Sequence, residues 1–338
     1  GVYLLSLIKQ VQVPVLVNLH TVLENPSADE KAVMLEIAAR ADKIVVMSSY
    51  AIDILRRVYG VREEQILCIP HGVPQYKKNQ ADAKAALGLT GRKVLLTFGL
   101  IGRSKGIDIA IKALPQVVAQ FPDLLYLVVG KTHPHIIKHA GEEYRESLVR
   151  LVAELGLQEN VQFVNSFVET ELLTEYLSAC DVYITPYVNE SQITSGTLSF
   201  AIGAGACVLS TPYWHAKELL ADGRGLLFDF NDAKGLGNIL IDLFRFPEKL
   251  ARYRAAAAEL GVKLSWQTLG GDYLAILKEL AVMKVTRIAD AHNFSLSDMP
   301  DYDLTHIRRL SNKVGIIQHA TYATPNYHHG YCVDDNAR

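Results

Sequence analysis

The feature that most constrains this chain is a rhythm. Short apolar, β-branched runs recur along it, separated by longer stretches with helical periodicity. KVLLTF at 93–98, LLYLVV at 124–129 and CVLS at 207–210 are apolar almost throughout rather than alternating with polar residues. Strands of that kind are buried on both faces, and helical crossovers between them require a parallel sheet. The pattern predicts strands at 93–98, 124–129, 161–163, 181–185, 207–210 and 225–228, with helices at about 107–120, 142–155, 171–179, 197–204 and 214–220 between them. Helices at 233–245, 247–260 and 267–280 follow. The same rhythm opens the chain. Strands are predicted at 13–18, 43–47 and 66–69, a helix begins at the capping-box spacing Ser27 to Glu30, and Ser48 or Ser49 caps another that runs to Tyr59.

At 338 residues the chain exceeds what one compact domain usually holds. Pro70, Gly72 and Pro74 mark a linker over 70–80. The expected organisation is the back part of one doubly wound domain over 1–76, a complete second one over 77–285, a linker over 286–303 and the start of a further unit over 304–338. The sequence opens at Gly1 without Met and stops inside what reads as a continuing motif, so a piece of a longer protein is expected.

Charge and cysteine usage narrow the function. Lys and Arg number 34 against 36 Asp and Glu, so no basic field invites nucleic acid. No apolar run reaches the roughly 18 residues of a membrane span, and GVYLLSLIKQ lacks the basic start of a secretory leader. Cys68, Cys180, Cys207 and Cys332 are far apart with no C-x-x-C pair, and three of them lie in or beside apolar strands. Buried free thiols and a cytoplasmic setting are expected.

In an open parallel sheet, ligands bind beyond the carboxyl ends of the strands. Those ends carry GLIGRSKGID after Phe98, GKTHPH after Val129, VNSFVET after Phe163, PYVNESQITSGT after Thr185 and TPYWHAKE after Ser210. In the first, Gly99, Gly102 and Gly106 let backbone approach a ligand, and Arg103 and Lys105 stand just before a helix. Ser195, Gly196 and Thr197 open another helix. Helix N-termini present unpaired N–H groups and about half a positive charge. Two of them with two cations are enough to hold a diphosphate without a metal ion. Lys131, Thr132 and His133 follow a strand directly and are expected to touch the nucleotide. The sequence has no G-x-x-x-x-G-K-[ST] loop, no G-x-G-x-x-G opening a helix and no G-x-S-x-G elbow. His135 and His139 sit one helical turn apart but have no carboxylate or thiolate arranged nearby, so no metal site is assigned. Asp301 and Asp303 read as a solvated linker.

Taken in order, VNLHTV, ADKIVVMSS, ILCIPHGVP, FGLIGRSKGID, ACDVYITPY, SGTLSFAIGAGACVLSTPY and KELL resemble glycosyltransferase family 4 over roughly 13–280. The resemblance implies the GT-B fold: an α/β molecule of two facing Rossmann-like doubly wound parallel-sheet domains, the first one truncated here. It implies a retaining hexosyltransferase that takes a UDP- or GDP-sugar donor and a carbohydrate or other hydroxyl acceptor, with no metal or other cofactor. Under it Lys105 contacts the donor diphosphate, Gly99 ends the first strand of the nucleotide domain, His20 faces the donor sugar across the cleft, and Arg103, three residues past Leu100 in the same loop, is expected to replace the family's arginine. His71 stands where the family has Asn, and Glu218 matches a glutamate after the TPY strand. Leu100 stands where the family has Arg. The family's two glutamates fall at Gln192 and Phe200, which leaves Glu190 and Gln192 to reach sugar hydroxyls and removes a ribose contact. Two other readings stay open: a non-catalytic nucleotide- or sugar-binding module of the same fold, and a sugar-nucleotide epimerase. The last stretch, with Asp334 and Asp335, loosely resembles the opening of a helical-toroid carbohydrate-active domain. At about 35 residues it is too short to fold a core alone.

Overall fold

The computed structural model describes Val11, residues 13–282 and, outside them, Leu5, Ile8, Lys9, 305–311, 320–321 and 324–325. The described residues fall into two compact units, one within 11–285 and one within 2–10 and 286–338. In the first, β1 (Leu16–Asn18), β2 (Lys43–Val46) and β3 (Ile66–Cys68) form a three-stranded parallel sheet in that order. Helix α1 (Ala28–Arg40) joins β1 to β2 and opens on the expected capping box, with Ser27 and Glu30 satisfying each other's backbone amides. Helix α2 (Ser49–Tyr59) is capped by the Ser48 side chain and stopped by Gly60 in the left-handed conformation. Its Ala51, Ile54 and Leu55 pack with Ile44 and Val46 into a single core.

The second sheet has six parallel strands. They are β4 (Lys93–Phe98), β5 (Leu124–Val129), β6 (Val161–Val164), β7 (Val182–Thr185), β8 (Cys207–Ser210) and β9 (Leu226–Leu227), in spatial order β6-β5-β4-β7-β8-β9. Alternate side chains of a strand face opposite sides of the sheet. Leu95, Tyr126 and Val128 enter one core, while Val94, Leu96, Leu125, Leu127 and Val129 enter the other. Both faces are covered, which is why these strands read as unbroken apolar runs.

The covering helices are α3 (Gln80–Ala86), α4 (Ile107–Val118), α5 (Pro134–Ala140), α6 (Glu143–Glu154), α7 (Thr170–Ala179), α8 (Gly196–Gly203), α9 (Trp214–Leu219), α10 (Ala233–Arg245), α11 (Pro247–Lys263) and α12 (Trp266–Ala281). Helix α3 is one the pattern missed: Ala83 is its only buried residue, so it carries no apolar stripe to read. Helix α12 follows the second sheet in the chain yet packs on the first, where Leu269 meets Val45 and Ile69 and the Tyr273 hydroxyl accepts from Asn18 Nδ2 at 3.1 Å. Cys180 and Cys207 are buried free thiols as expected, whereas Cys68, at the end of β3, is exposed. Among the described residues no helix is long and apolar enough to cross a membrane.

In the other unit, α13 (Thr305–Leu310) precedes an antiparallel pair, β10 (Ala320–Thr321) with β11 (Thr324–Pro325). The expectations for the 286–303 linker with its Asp301 and Asp303, for Cys332 and for Asp334 and Asp335 lie outside the described residues.

Candidate donor site at the switch point of the large sheet

The strand order reverses between β4 and β7. From β4 the chain crosses to β5 and β6 on one side, then returns to β7 and continues to β8 and β9 on the other. The connections therefore diverge there and leave a crevice at the carboxyl ends of β4 and β7. Two turns meet in it. Gly106 has φ 59°, and a Cβ on it would lie 2.0 Å from the Pro186 carbonyl oxygen, so only glycine lets the turn after β4 rest on the turn after β7. The Val188 amide donates to the Ser104 carbonyl at 3.2 Å and secures the same contact. Gly99, where β4 ends, donates its amide to the Val129 carbonyl at 3.0 Å and faces the Thr197 methyl group.

This packing brings Lys105 and the start of α8 together. Lys105 Nζ donates to the Tyr187 hydroxyl at 2.7 Å, and that hydroxyl is 2.8 Å from Thr197 Oγ1. Thr197 Oγ1 lies 3.1 Å from Ser195 Oγ, which caps α8 by accepting from the Leu198 amide. The amides of Gly196 and Thr197 have no hydrogen-bond partner among the described residues. An ammonium group and the N-terminus of a helix both favour negative charge, which makes this turn the candidate anion site. The buried hydroxyl of Thr194 is likewise unpartnered among the described residues.

Three histidines flank the turn. His20, just past β1, stands edge-on to His71 with ring centroids 6.4 Å apart. His71 Nδ1 is 2.8 Å from the Gly72 carbonyl, so Nδ1 carries the hydrogen and Nε2 is left as an acceptor. That Nε2 is 2.9 Å from where a Cβ on Gly196 would sit. Burial holds the His71 pKa below its ordinary value, against the Gly72 bond and with help from His20. His215, on α9, accepts the Ser195 amide at Nδ1 (3.0 Å), and burial, with His71 nearby, pushes its pKa down to about 4. It is a neutral acceptor that fixes the cap of α8.

Other expected site residues are placed elsewhere. Arg103 pairs with Glu143 at 2.9 Å, with both side chains largely exposed, and lies over the Tyr144 ring. It is thus directed to α6 rather than to Lys105. Thr132 is buried, and its hydroxyl bonds Glu142 and Arg145 instead of forming part of the rim. Lys131 and His133 are exposed after β5. The Glu218 carboxylate accepts from Ser48 Oγ at 2.6 Å and the Ser49 amide at 3.0 Å, which commits it to the N-terminus of α2. Glu190 pairs with Lys217 at 2.7 Å. Gln192 donates to the Thr194 carbonyl at 2.7 Å and, with His20, lines a 310 Å³ cavity between the two sheets. Phe200 is packed among His71, Phe98 and Trp266, with centroids 5.8, 6.2 and 5.9 Å away. Sequence reasoning passed over Tyr187 and Tyr183. Tyr187 stands two residues past the end of β7, so the strand-end rule that selected Lys105 also covers it.

Two parallel-sheet layers with a cavity between them, the larger sheet reversing its strand order between β4 and β7, form a GT-B glycosyltransferase architecture. The chain belongs to the family described as Glycosyl transferases group 1, which it matches over residues 79–260. It is 29% identical to the D-inositol 3-phosphate glycosyltransferase of Streptomyces avermitilis over 69% of this chain and 51% of that protein. It is 26% identical to the phosphatidyl-myo-inositol mannosyltransferase of Mycolicibacterium smegmatis over 63% of this chain and 52% of that one. The chain thus spans about half the length of these curated relatives. In fold it resembles Anabaena HepE, solved with UDP, with a TM-score of 0.69 and 22% identity over 79% of this chain and 72% of that one. Sucrose-phosphate synthase of Thermosynechococcus elongatus gives 0.64 and 23% over 81% and 70%.

Proposed function

We propose that this chain forms the donor-binding part of a retaining hexosyltransferase, which moves a hexose from a UDP- or GDP-sugar to a carbohydrate or other hydroxyl acceptor. One observation carries the reading: beyond the carboxyl ends of β4 and β7, Lys105 Nζ and the Thr197 hydroxyl at the start of α8 bond the same Tyr187 hydroxyl, at 2.7 and 2.8 Å. As the glycosidic bond breaks, the departing diphosphate gains negative charge. A fixed ammonium and a helix N-terminus stabilise that charge more in the transition state than in the ground state. The acceptor oxygen then bonds the anomeric carbon on the face the diphosphate vacates and gives its proton to that leaving phosphate, a course that would retain configuration without a protein base or a metal. His20 and Gln192, on the cavity between the sheets, would orient the sugar. Lys131 and His133 would border the nucleoside, and Arg103 would join the phosphates only by releasing Glu143. The HepE complex with UDP supports a uridine nucleotide in this fold.

The test is thermal stabilisation of the chain by UDP-, GDP- and ADP-sugars. A ligand at a hundredfold excess over its Kd adds about 2.7 kcal/mol, and Lys105→Ala is expected to remove most of that response. Stabilisation by none of the three would overturn the reading. The packed ring of Phe200, where the family has a ribose-binding glutamate, favours a second reading as a non-catalytic binding module. That reading predicts stabilisation with no sugar transfer to any acceptor.

A further inference from the structure

We propose that Tyr187 is a positioning residue of the donor site, its hydroxyl tying the Lys105 ammonium to the Thr197 hydroxyl so that the two halves of the diphosphate cradle stay in register. This rests on the donor reading above. An ammonium can only donate, so the Tyr187 oxygen accepts from Lys105 at 2.7 Å and its own hydrogen is left for Thr197 Oγ1 at 2.8 Å. Thr197 can then turn its hydrogen to Ser195 Oγ at 3.1 Å, and the chain of donors ends on the cap of α8. One phenol thus spans the crevice between the turn after β4 and the helix after β7.

Tyr187 is built to do this without moving. It is 3% exposed and stacks on Tyr213 with centroids 5.1 Å apart and planes 15° from parallel. Its carbonyl accepts from the buried Thr211 hydroxyl at 2.6 Å, and the next amide, that of Val188, is held by Ser104. The Lys105 ammonium also lies 4.0 Å from the ring centroid, within cation–π range. A free lysine side chain loses much rotamer entropy when a ligand immobilises it. Here that ordering is already made before a phosphate arrives, which is how a preorganised site gains affinity. The ring packs on Tyr213, whereas among the described residues the hydroxyl bonds only Lys105 and Thr197. Ring and hydroxyl are therefore separable by mutation.

Tyr187→Phe keeps the stacking and the cation–π face and removes only the oxygen. Calorimetric titration of the full chain with UDP, GDP, UMP and GMP reads the result. The variant is expected to weaken nucleoside diphosphate binding about tenfold, to leave the monophosphates within twofold, and to unfold at the wild-type temperature. Thr197→Val breaks the same link from the other side. It should give a similar loss, with no further loss when combined with Tyr187→Phe, because two changes in one chain of bonds are not additive. Wild-type diphosphate affinity in Tyr187→Phe, or an equal loss for mono- and diphosphates, would overturn the positioning role. Wild-type protein that binds neither UDP nor GDP would instead remove the donor reading itself.

Discussion

His215 shows how one side chain sets the chemistry of a neighbour. Its Nδ1 must be unprotonated to accept the Ser195 amide, and burial enforces this by lowering the pKa from 6.5 to about 4. Above pH 6.5 neither folded nor unfolded chain binds a proton there, and the bond is fully present. Between pH 6.5 and 4 the unfolded chain takes up a proton that the folded one refuses, so stability falls as pH falls. The loss through that window is on the order of 3 kcal/mol. His71, lowered in the same direction, adds to the slope. His215→Gln, whose amide oxygen can still accept from Ser195, should unfold in urea with a visibly shallower pH dependence between 6.5 and 4. Identical slopes for variant and wild type would remove His215 from this role. At this scale the sequence was informative about backbone-defined groups. Lys105, Gly196 and Thr197 follow from their place after a strand or before a helix. Whether Arg103, Thr132 and Glu218 face the crevice depends on side-chain partners on α6 and α2, which no local pattern encodes.

Helix α8 owes its aim to the helix behind it. A Cβ on Gly261 of α11 would lie 2.9 Å from the Gly203 Cα and from the Ile202 carbonyl oxygen, so the two helices cross with backbone against backbone. Backbone atoms cannot rotate aside, and overpacking of that kind costs about 1–3 kcal/mol, more than the gain of up to about 1 kcal/mol from replacing a helical glycine with alanine. Gly261→Ala should therefore destabilise the chain and tilt α8 away from Lys105. Gly270→Ala in α12, where a Cβ meets nothing within 4 Å, should stabilise it by about 0.5–1 kcal/mol. Urea midpoints of the two variants are expected on opposite sides of wild type, and equal midpoints would sink the packing argument. The elements themselves were largely legible: buried parallel strands and capped amphipathic helices announce themselves through period and end residues. Helix α3 was not, because its stability comes from the Asn79 cap and docking rather than from an apolar stripe.

Across the first unit, what the sequence left open is how the two sheets join. The apolar face of α12 is readable, but its choice of the first sheet over the second is a long-range decision made by Val45, Ile69 and Tyr273. The other junction is α9, where Glu218 sits on the N-terminus of α2 and Trp214 stacks on Tyr50 with centroids 5.8 Å apart. A carboxylate at a helix N-terminus satisfies an open amide and opposes the helix dipole. The expected donor contact and the observed latch make different demands on Glu218. A donor contact would lower nucleotide affinity in Glu218→Ala and leave stability nearly unchanged. A latch leaves the buried Ser48 hydroxyl and the Ser49 amide without their partner, at a cost of about 1–3 kcal/mol. The latch also predicts partial recovery in Glu218→Gln, whose remaining carbonyl oxygen can accept one of the two bonds. Urea unfolding followed by circular dichroism should rank wild type above Glu218→Gln and Glu218→Ala lowest. A Glu218→Ala chain that unfolds with wild type but no longer responds to a nucleotide-sugar would return Glu218 to the donor site.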